Sequence, residues 1–328
     1  MFRITFKNVG QGDSIILESE SDIAIIDCNL YEGSNPVLDY IRKGTWKSIK
    51  FILLTHPHTD HFSGLLDILI YCDNNKIKVD NFYYTGQISP KFIKDAVYGV
   101  DSQNQLAQIF AKMNQLALKG IILDANPISA TLTINLNDKF IIKVLAPHIT
   151  DVVNFVTKEH KIDNGMLNNN SEANALSTIL KIETSDNYLL LTSDAPKLSF
   201  RRMVNSFVDF KSKKLVLGQV SHHGSLGSYL ETFWEDTGRN IDSFAAISAG
   251  NGYRHPSLNV VSHLAKNNYQ IKYTNLVGGL IEYYNVADVS KKSLLLNQFS
   301  KIVSNNSTSQ DLVFEFNENL EIIYTRPF

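Results

Sequence analysis

Apolar and polar positions alternate with a period of two from the first residues of the chain. Met1 to Phe6 alternates, Asn8-Val9-Gly10-Gln11-Gly12-Asp13 makes a turn, and Ser14 to Leu17 and Asp22 to Asp27 resume the pattern, which predicts a β-meander. A helix is expected over Pro36 to Arg42, a buried strand over Ile49 to Leu54 and a second helix over Gly64 to Tyr71. Between Asp101 and Lys119 the apolar residues Leu106, Ile109, Phe110, Met113 and Leu116 follow helical spacing and predict a covering helix. From Thr131 a second strand-rich half begins, with strands expected at Leu132 to Ile134, Phe140 to Leu145, Ser177 to Ile182 and Tyr188 to Thr192, then a helix near Lys197 to Phe207. Ile149 to Ala173, with Asn168-Asn169-Asn170, reads as a long surface loop able to serve as a lid. After a polar connector, Val303 to Ser309, the runs Asp311 to Phe316 and Leu320 to Tyr324 predict a hairpin. No fixed-period repeat or low-complexity linker divides the chain, so residues 1–328 are expected to form one domain of two sheets, with a strand-rich extension over about 285–328.

Composition narrows the class. With 44% hydrophobic and 20% charged residues over 328 positions the chain can bury a large core. No segment reaches the ~20 apolar residues that span a bilayer, so no membrane insertion is expected. The strand pattern starting at Met1 leaves no room for a secretion signal, and a cytoplasmic location follows as an expectation. Cys28 and Cys72 are too few for a disulfide framework and read as core residues. A net charge of −2 argues against a broad positive surface for nonspecific nucleic-acid binding, although it leaves a local basic groove open.

The chemistry concentrates where strands end. Thr55-His56-Pro57-His58-Thr59-Asp60-His61 places three imidazoles and a carboxylate on the turn that follows Phe51-Ile52-Leu53-Leu54, and a bound divalent cation is the simplest explanation for such crowding. Three further strand-like runs end in the same kind of group: Tyr188 to Thr192 before Asp194, Lys214 to Val220 before His222 and His223, and Ala245 to Ala249 before His255. Singly, Asp194 could be a helix cap, His223 a satisfied structural histidine and His255 a turn residue. Four strands ending in metal or proton-transfer chemistry make those separate readings less economical.

The HxHxDH turn with Asp194 and His222 resembles the metallo-β-lactamase fold superfamily. Together with Asn8 to Ser14, Ile25-Ile26-Asp27, Ser221-His222-His223-Gly224-Ser225 and Tyr253-Arg254-His255-Pro256, it is most similar within that superfamily to the C-terminal hydrolase domain of the ComEC competence protein, up to about Val261. The resemblance implies an α+β fold, an αββα sandwich of the metallo-hydrolase type. It implies two divalent metal ions, Zn or Mn, with His56 and His58 on one, Asp60, His61 and His222 on the second, and Asp194 between them. Asp60 would also orient the attacking water, and His255 or His223 would donate a proton or bind a substrate phosphate. The chain departs from the superfamily pattern in several places. Asn174 stands where many members have a further histidine, for which His148 is a substitute or a plain loop residue; Ser193 and Arg254 stand at usual glycine positions; and Asn29 replaces another glycine at a site suited to a positive φ. Arg254 beside the site favours a phosphate ester, whereas Lys211, Lys213 and Lys214 read as a solvated turn. The expected function is a metal-dependent phosphodiesterase or nuclease on a nucleic acid or nucleotide substrate. The alternatives are hydrolysis of a small ester, lactone or thioester, and a metal-stabilised binding or regulatory subunit without turnover. Fold does not fix substrate, and no lactam pocket is specified; a protein partner is not specified either.

Overall fold

A computed structural model describes the chain apart from residues 47, 138, 159–161, 164–165, 168–169, 206–209, 238–242, 251, 287–309 and 326–328. Strand alternation assembles two mixed sheets. The first contains β1 (Phe2–Phe6), β2 (Ile15–Ser19), β3 (Asp22–Ile26), β4 (Ser48–Leu54), β5 (Lys78–Tyr84) and β6 (Ile122–Pro127). The second contains β7 (Thr133–Asn135) and β8 (Ile141–Ala146), then β11 (Ile179–Glu183), β12 (Asn187–Leu191), β13 (Lys214–Gln219), β14 (Phe244–Ile247) and β15 (Gln270–Tyr273), while the short β9 (Ile162–Asp163) and β10 (Met166–Leu167) pair with each other. The C-terminal hairpin, β16 (Leu312–Phe316) and β17 (Ile322–Thr325), returns to the first sheet, where Phe2 faces Phe316 and Phe6 faces Leu312 across an antiparallel ladder.

Two-sided strands give three apolar layers. Phe2, Ile4, Phe51, Leu53, Leu189, Leu191 and Phe314 meet between the sheets, and each buried phenylalanine there contributes about 1.5–3 kcal/mol. The opposite faces of the same strands, through Ile49, Ile52 and Leu54, pack on α1 (Pro36–Lys43), α3 (Leu65–Asn75) and α5 (Val100–Leu118), with the one-turn α2 (Thr59–Phe62) and α4 (Pro90–Ala96) at the margin. On the far side Tyr188 and Leu190 pack beneath α7 (Lys197–Asn205), α8 (Glu231–Thr237), α9 (Leu258–Lys266) and α10 (Gly279–Val286). These are the helix, sheet, sheet and helix layers of an αββα sandwich. Sequence punctuation accounts for the ends: the Asn35 side chain caps α1 by accepting from the Leu38 N–H at 3.0 Å, and Pro36 needs no donor there.

The meander, α1, β4, α5 and the hairpin fall where the apolar pattern puts them. Ile149 to Thr157 is a helix, α6 (Ile149–Thr157), which corrects the expected loop: Val152, Phe155 and Val156 form an inward stripe against the first helical layer. Much of the Asn-rich remainder and the polar connector lie outside the described residues. Cys28 and Cys72 are both free and buried. Among the described residues no helix is long and apolar enough to cross a membrane.

Candidate metal centre

Parallel strands bring the reactive turns to one edge. β3 to β6 run parallel in the first sheet and β12 to β15 in the second, so the turns leaving β4, β12, β13 and β14 emerge together at carboxyl ends, the usual ligand position in parallel sheets. Left-handed backbone recurs in these turns and in the one leaving β3: Asp27, Ser193, His222, His223 and Arg254 all take positive φ, between 46° and 57°. Such conformations cost energy in non-glycine residues and persist where surrounding contacts impose them. Ser193 and Arg254 therefore occupy glycine-like backbone. Asn29 does not, which corrects the expectation for it; its side chain instead donates to the Gln11 carbonyl at 2.7 Å and ties the turn after β3 to the turn after β1. Gly12 is required where these turns meet, because a Cβ there would strike the Asp60 carbonyl.

Asp194 lies at the middle of the cluster, 2% exposed. One of its oxygens, Oδ2, is 3.8 Å from His56 Nε2 and 3.7 Å from His222 Nε2, and His56 Nε2 in turn is 3.0 Å from His58 Nδ1. The other, Oδ1, is 3.6 Å from His61 Nε2 and 3.5 Å from His223 Nε2, which also lies 3.6 Å from Asp60 Oδ2. Six of the residues singled out from the sequence for the metals or for Asp60's water thus converge, with two differences of detail. His222 sits on the His56 and His58 side rather than beside Asp60 and His61. His223, expected as a proton donor, is buried against both Asp60 and Asp194. His255 stands at the margin, its ring 5.6 Å from that of His222. Asn174 reaches His222 Nδ1 at 3.3 Å. His148 is an exposed cap of α6, bonded to Thr150.

The donor set fits divalent cations, and the outer hydrogen bonds show why. His61 Nδ1 faces Asp27 Oδ2 at 2.7 Å, and His223 Nδ1 faces the Ser248 carbonyl at 3.0 Å, so both rings donate outward and turn an acceptor nitrogen inward. Those inward Nε2 atoms and Asp194 Oδ1 are buried with no hydrogen-bond partner. Acceptors facing acceptors at 3.5–3.6 Å repel unless positive charge lies among them. Three of these residues, His56, His61 and Asp194, and separately Asp60, His61 and His223, place ligand atoms within 4.8 Å of one another. His56 Nδ1 is held by the Ser193 hydroxyl at 3.2 Å, and Asp27 itself accepts from the Thr55 N–H and hydroxyl at 2.8 and 2.6 Å, the outer support that orients metal-ligating imidazoles.

Without a cation, protons carry the positive charge. Burial opposes a charged His61, but Asp194, Asp27 and Asp60 overcome it and hold the imidazole well above its ordinary range. His223 is likewise raised to about 9, burial being outweighed by Asp194 and Asp60. Burial also works against the Asp60 and Asp194 anions, and the facing histidines still keep both well below the usual carboxylate range. His56 is pushed well down by burial and by the His61 and His58 charges, and burial raises Asp27 to about 6 despite His61. Loading such a centre with metal exchanges protons for ions.

An open cleft of about 960 Å³ lies over the cluster. His58, Asp60, Asp194, His222 and His255 form part of its lining, and Tyr98 and Tyr253, 48% and 71% exposed, stand in its walls. No lysine or arginine lines it among the described residues. The buried carboxylates Asp13 and Asp27 and the two tyrosines were not singled out from sequence as site residues. The sequence signals for the carboxylates are their places at the Gly10-Gln11-Gly12 turn and at the end of β3, within the Asn8 to Ser14 and Ile25-Ile26-Asp27 motifs that carry the resemblance.

Residues 8–94, from the turn after β1 through the HxHxDH segment, match the family model of the metallo-beta-lactamase superfamily. No curated protein matches the sequence. Among solved structures the chain is similar to the metallo-beta-lactamase fold protein YhfI from Bacillus subtilis, at 10% identity over 83% of this chain and 95% of that one, with a TM-score of 0.43. It is also similar to zinc-bound PqqB from Methylobacterium extorquens, at 10% identity over 83% and 98% of the two chains and a TM-score of 0.43, and to the short form of human tRNase Z, at 13% over 77% and 94% with the same score. With residues 8–94 matching that family model and two sheets between helical layers, the chain has the metallo-beta-lactamase fold.

Proposed function

We propose that the protein is a metal-dependent phosphodiesterase whose substrate is a nucleotide or the end of a nucleic-acid strand. The observation that carries this reading is the cleft, which sets two exposed tyrosine rings beside a buried cluster of four carboxylate-facing histidines. Tyr98 and Tyr253 offer faces on which a base can stack, a contact worth about 1–3 kcal/mol per base. Among the described residues the lining has no lysine or arginine to track a long phosphate backbone, which favours a short substrate over a polymer held along its length. The motifs that resemble the ComEC hydrolase domain, Asn8 to Ser14, Ser221 to Ser225 and Tyr253 to Pro256, frame this same cleft and support phosphodiester chemistry.

Each side chain has a definable task. His56, His58, His222 and Asp194 Oδ2 would hold one divalent cation, zinc or manganese, and Asp60, His61, His223 and Asp194 Oδ1 the other. When bound, such ions activate water and neutralise charge developing on the phosphoryl group. Asp60, which lines the cleft, accepts a hydrogen bond from the attacking water and aligns it. His255 is lowered to about 4 by burial and by the neighbouring His222 and His223 charges, so at neutral pH it is a neutral imidazole. It therefore orients a phosphate oxygen through its N–H rather than delivering a proton from an imidazolium. Tyr253, 6.4 Å from His255 between ring centres, holds the base beyond that phosphate.

The test is a substrate panel with protein reconstituted in zinc or manganese: cyclic and linear dinucleotides, single- and double-stranded DNA, RNA, and nitrophenyl acetate. Preferential cleavage of dinucleotides or strand ends supports the reading. Turnover of carboxylic esters alone would give the small-ester alternative, which a lining without lysine or arginine among the described residues also accommodates, and bound metal with no turnover on any substrate would favour the regulatory one.

A further inference from the structure

Asp13 follows the Gly10-Gln11-Gly12 turn and is 1% exposed. Its Oδ2 accepts from Gln219 Nε2 at 2.8 Å. The orientation of that amide is fixed, because Gln219 Oε1 accepts from the backbone N–H groups of Thr192 and Ser193 at 2.9 and 3.1 Å. With Oδ2 pinned, Oδ1 is left buried and without a hydrogen-bond partner. The same carboxylate places an oxygen within 4.8 Å of ligand atoms of both Asp194 and His223, two of whose own atoms, Asp194 Oδ1 and His223 Nε2, are buried and unpartnered. Its backbone N–H donates to the Asp60 carbonyl at 3.2 Å, which locks the turn to the HxHxDH segment. A buried carboxylate oxygen with no donor is costly unless a cation meets it.

From this we infer that Asp13 is a further ligand of the position formed by Asp60, His61, His223 and Asp194 Oδ1, and that it makes that position select manganese over zinc. The two halves of the cluster differ in donor type. On the His56 side one carboxylate oxygen faces the His56 and His222 imidazoles, and His58 Nδ1 adjoins His56 Nε2, a nitrogen-rich set suited to four-coordinate zinc. On the other side Asp13, Asp60 and Asp194 supply carboxylate oxygens to two imidazoles, an oxygen-rich set that suits a harder ion of higher coordination number. The inference rests on the reading of the cluster as a metal centre and is independent of which ester the protein cleaves.

The experiment is a manganese titration of chelator-stripped protein, first charged with one equivalent of zinc, followed by the loss of the free Mn²⁺ paramagnetic resonance signal and by calorimetry. The wild type should take up one manganese per chain. Asp13→Asn, which keeps the size and can still accept from Gln219, should bind manganese about 10-fold more weakly or worse while holding zinc unchanged. Asp13→Glu, which keeps the charge but displaces the oxygen by a methylene, serves if the first variant does not fold and should also weaken manganese binding. Unaltered manganese affinity in a folded variant, with only a lower melting temperature, would overturn the inference and leave Asp13 as a strut for Gln219. A wild type that takes up no ion at all would overturn it together with the metal-centre reading, whereas the expected titration without phosphodiester cleavage would defeat only the proposed substrate.

Discussion

Replacing Asp27 by asparagine should cripple metal binding from outside the ligand set. Asp27 Oδ2 accepts from His61 Nδ1 at 2.7 Å, and that bond fixes the tautomer in which Nε2 presents a lone pair towards Asp194. The Thr55 N–H donates to the other oxygen, Oδ1, and the Thr55 hydroxyl donates to Oδ2 beside His61. An asparagine must satisfy the Thr55 N–H with its carbonyl and therefore turns its amide N–H₂ towards His61. Nδ1 then becomes the acceptor, the proton moves to Nε2, and the ring offers N–H where a lone pair is needed. Loss of one charged hydrogen bond is worth about 1.5–3 kcal/mol, and loss of an outer partner of a ligating imidazole costs about 10–100-fold in affinity, or about 1.4–2.7 kcal/mol. The two routes agree. Calorimetric zinc and manganese titrations of stripped protein at pH 7.5, with circular dichroism to establish folding, measure the change. Affinity for both equivalents within twofold of wild type in a folded Asp27→Asn protein would refute the assigned role of the Asp27–His61 pair.

Three other outcomes are expected. Phe51→Ala, at a fully buried position between the sheets, should lower unfolding free energy by about 3–5 kcal/mol in urea titration, and a loss below 1 kcal/mol would contradict the inter-sheet packing. Glu183 is held down to about 2, burial being outweighed by Lys143, Lys181 and Lys213; a carboxylate with a depressed folded value stabilises above its unfolded value of 4.5 and loses that stabilisation as pH falls towards 2. After allowance for solvent screening the contribution is about 1–2 kcal/mol, so Glu183→Gln should flatten the melting-temperature profile below pH 5, and an unchanged acid slope would count against the lysine cluster. His255→Ala should slow turnover by about 10²-fold with both metal equivalents retained; equal loss of metal would make His255 a ligand.

The layers and the strand-end chemistry were legible because both are local in sequence. A strand such as Phe51-Ile52-Leu53-Leu54 announces itself by burial on two faces, and the ligand turn follows it directly. The division of labour between His222 and His223 was not legible. Adjacent residues cannot be told apart by spacing, and what separates them is the left-handed backbone that both adopt, which sends one ring towards Asp194 Oδ2 and the other towards Oδ1. Asp13 was hidden for another reason, since its partners Gln219, His223 and Asp194 are about two hundred residues away and only the sheet packing unites them. Strands β5 and β6 leave no clear alternation in the sequence because Asp80, Asn81, Asp124 and Asn126 interrupt their apolar runs, and the Asn-rich stretch after α6 obscures its helical spacing.

Anomalous diffraction from crystals grown with zinc and manganese, recorded on either side of each absorption edge, tests the central claim most directly. Two peaks flanking the Asp194 carboxylate are predicted, one among His56, His58 and His222 and one among Asp60, His61 and His223. A folded protein with no peak at Asp194, or with its ions bound elsewhere on the surface, would contradict the account.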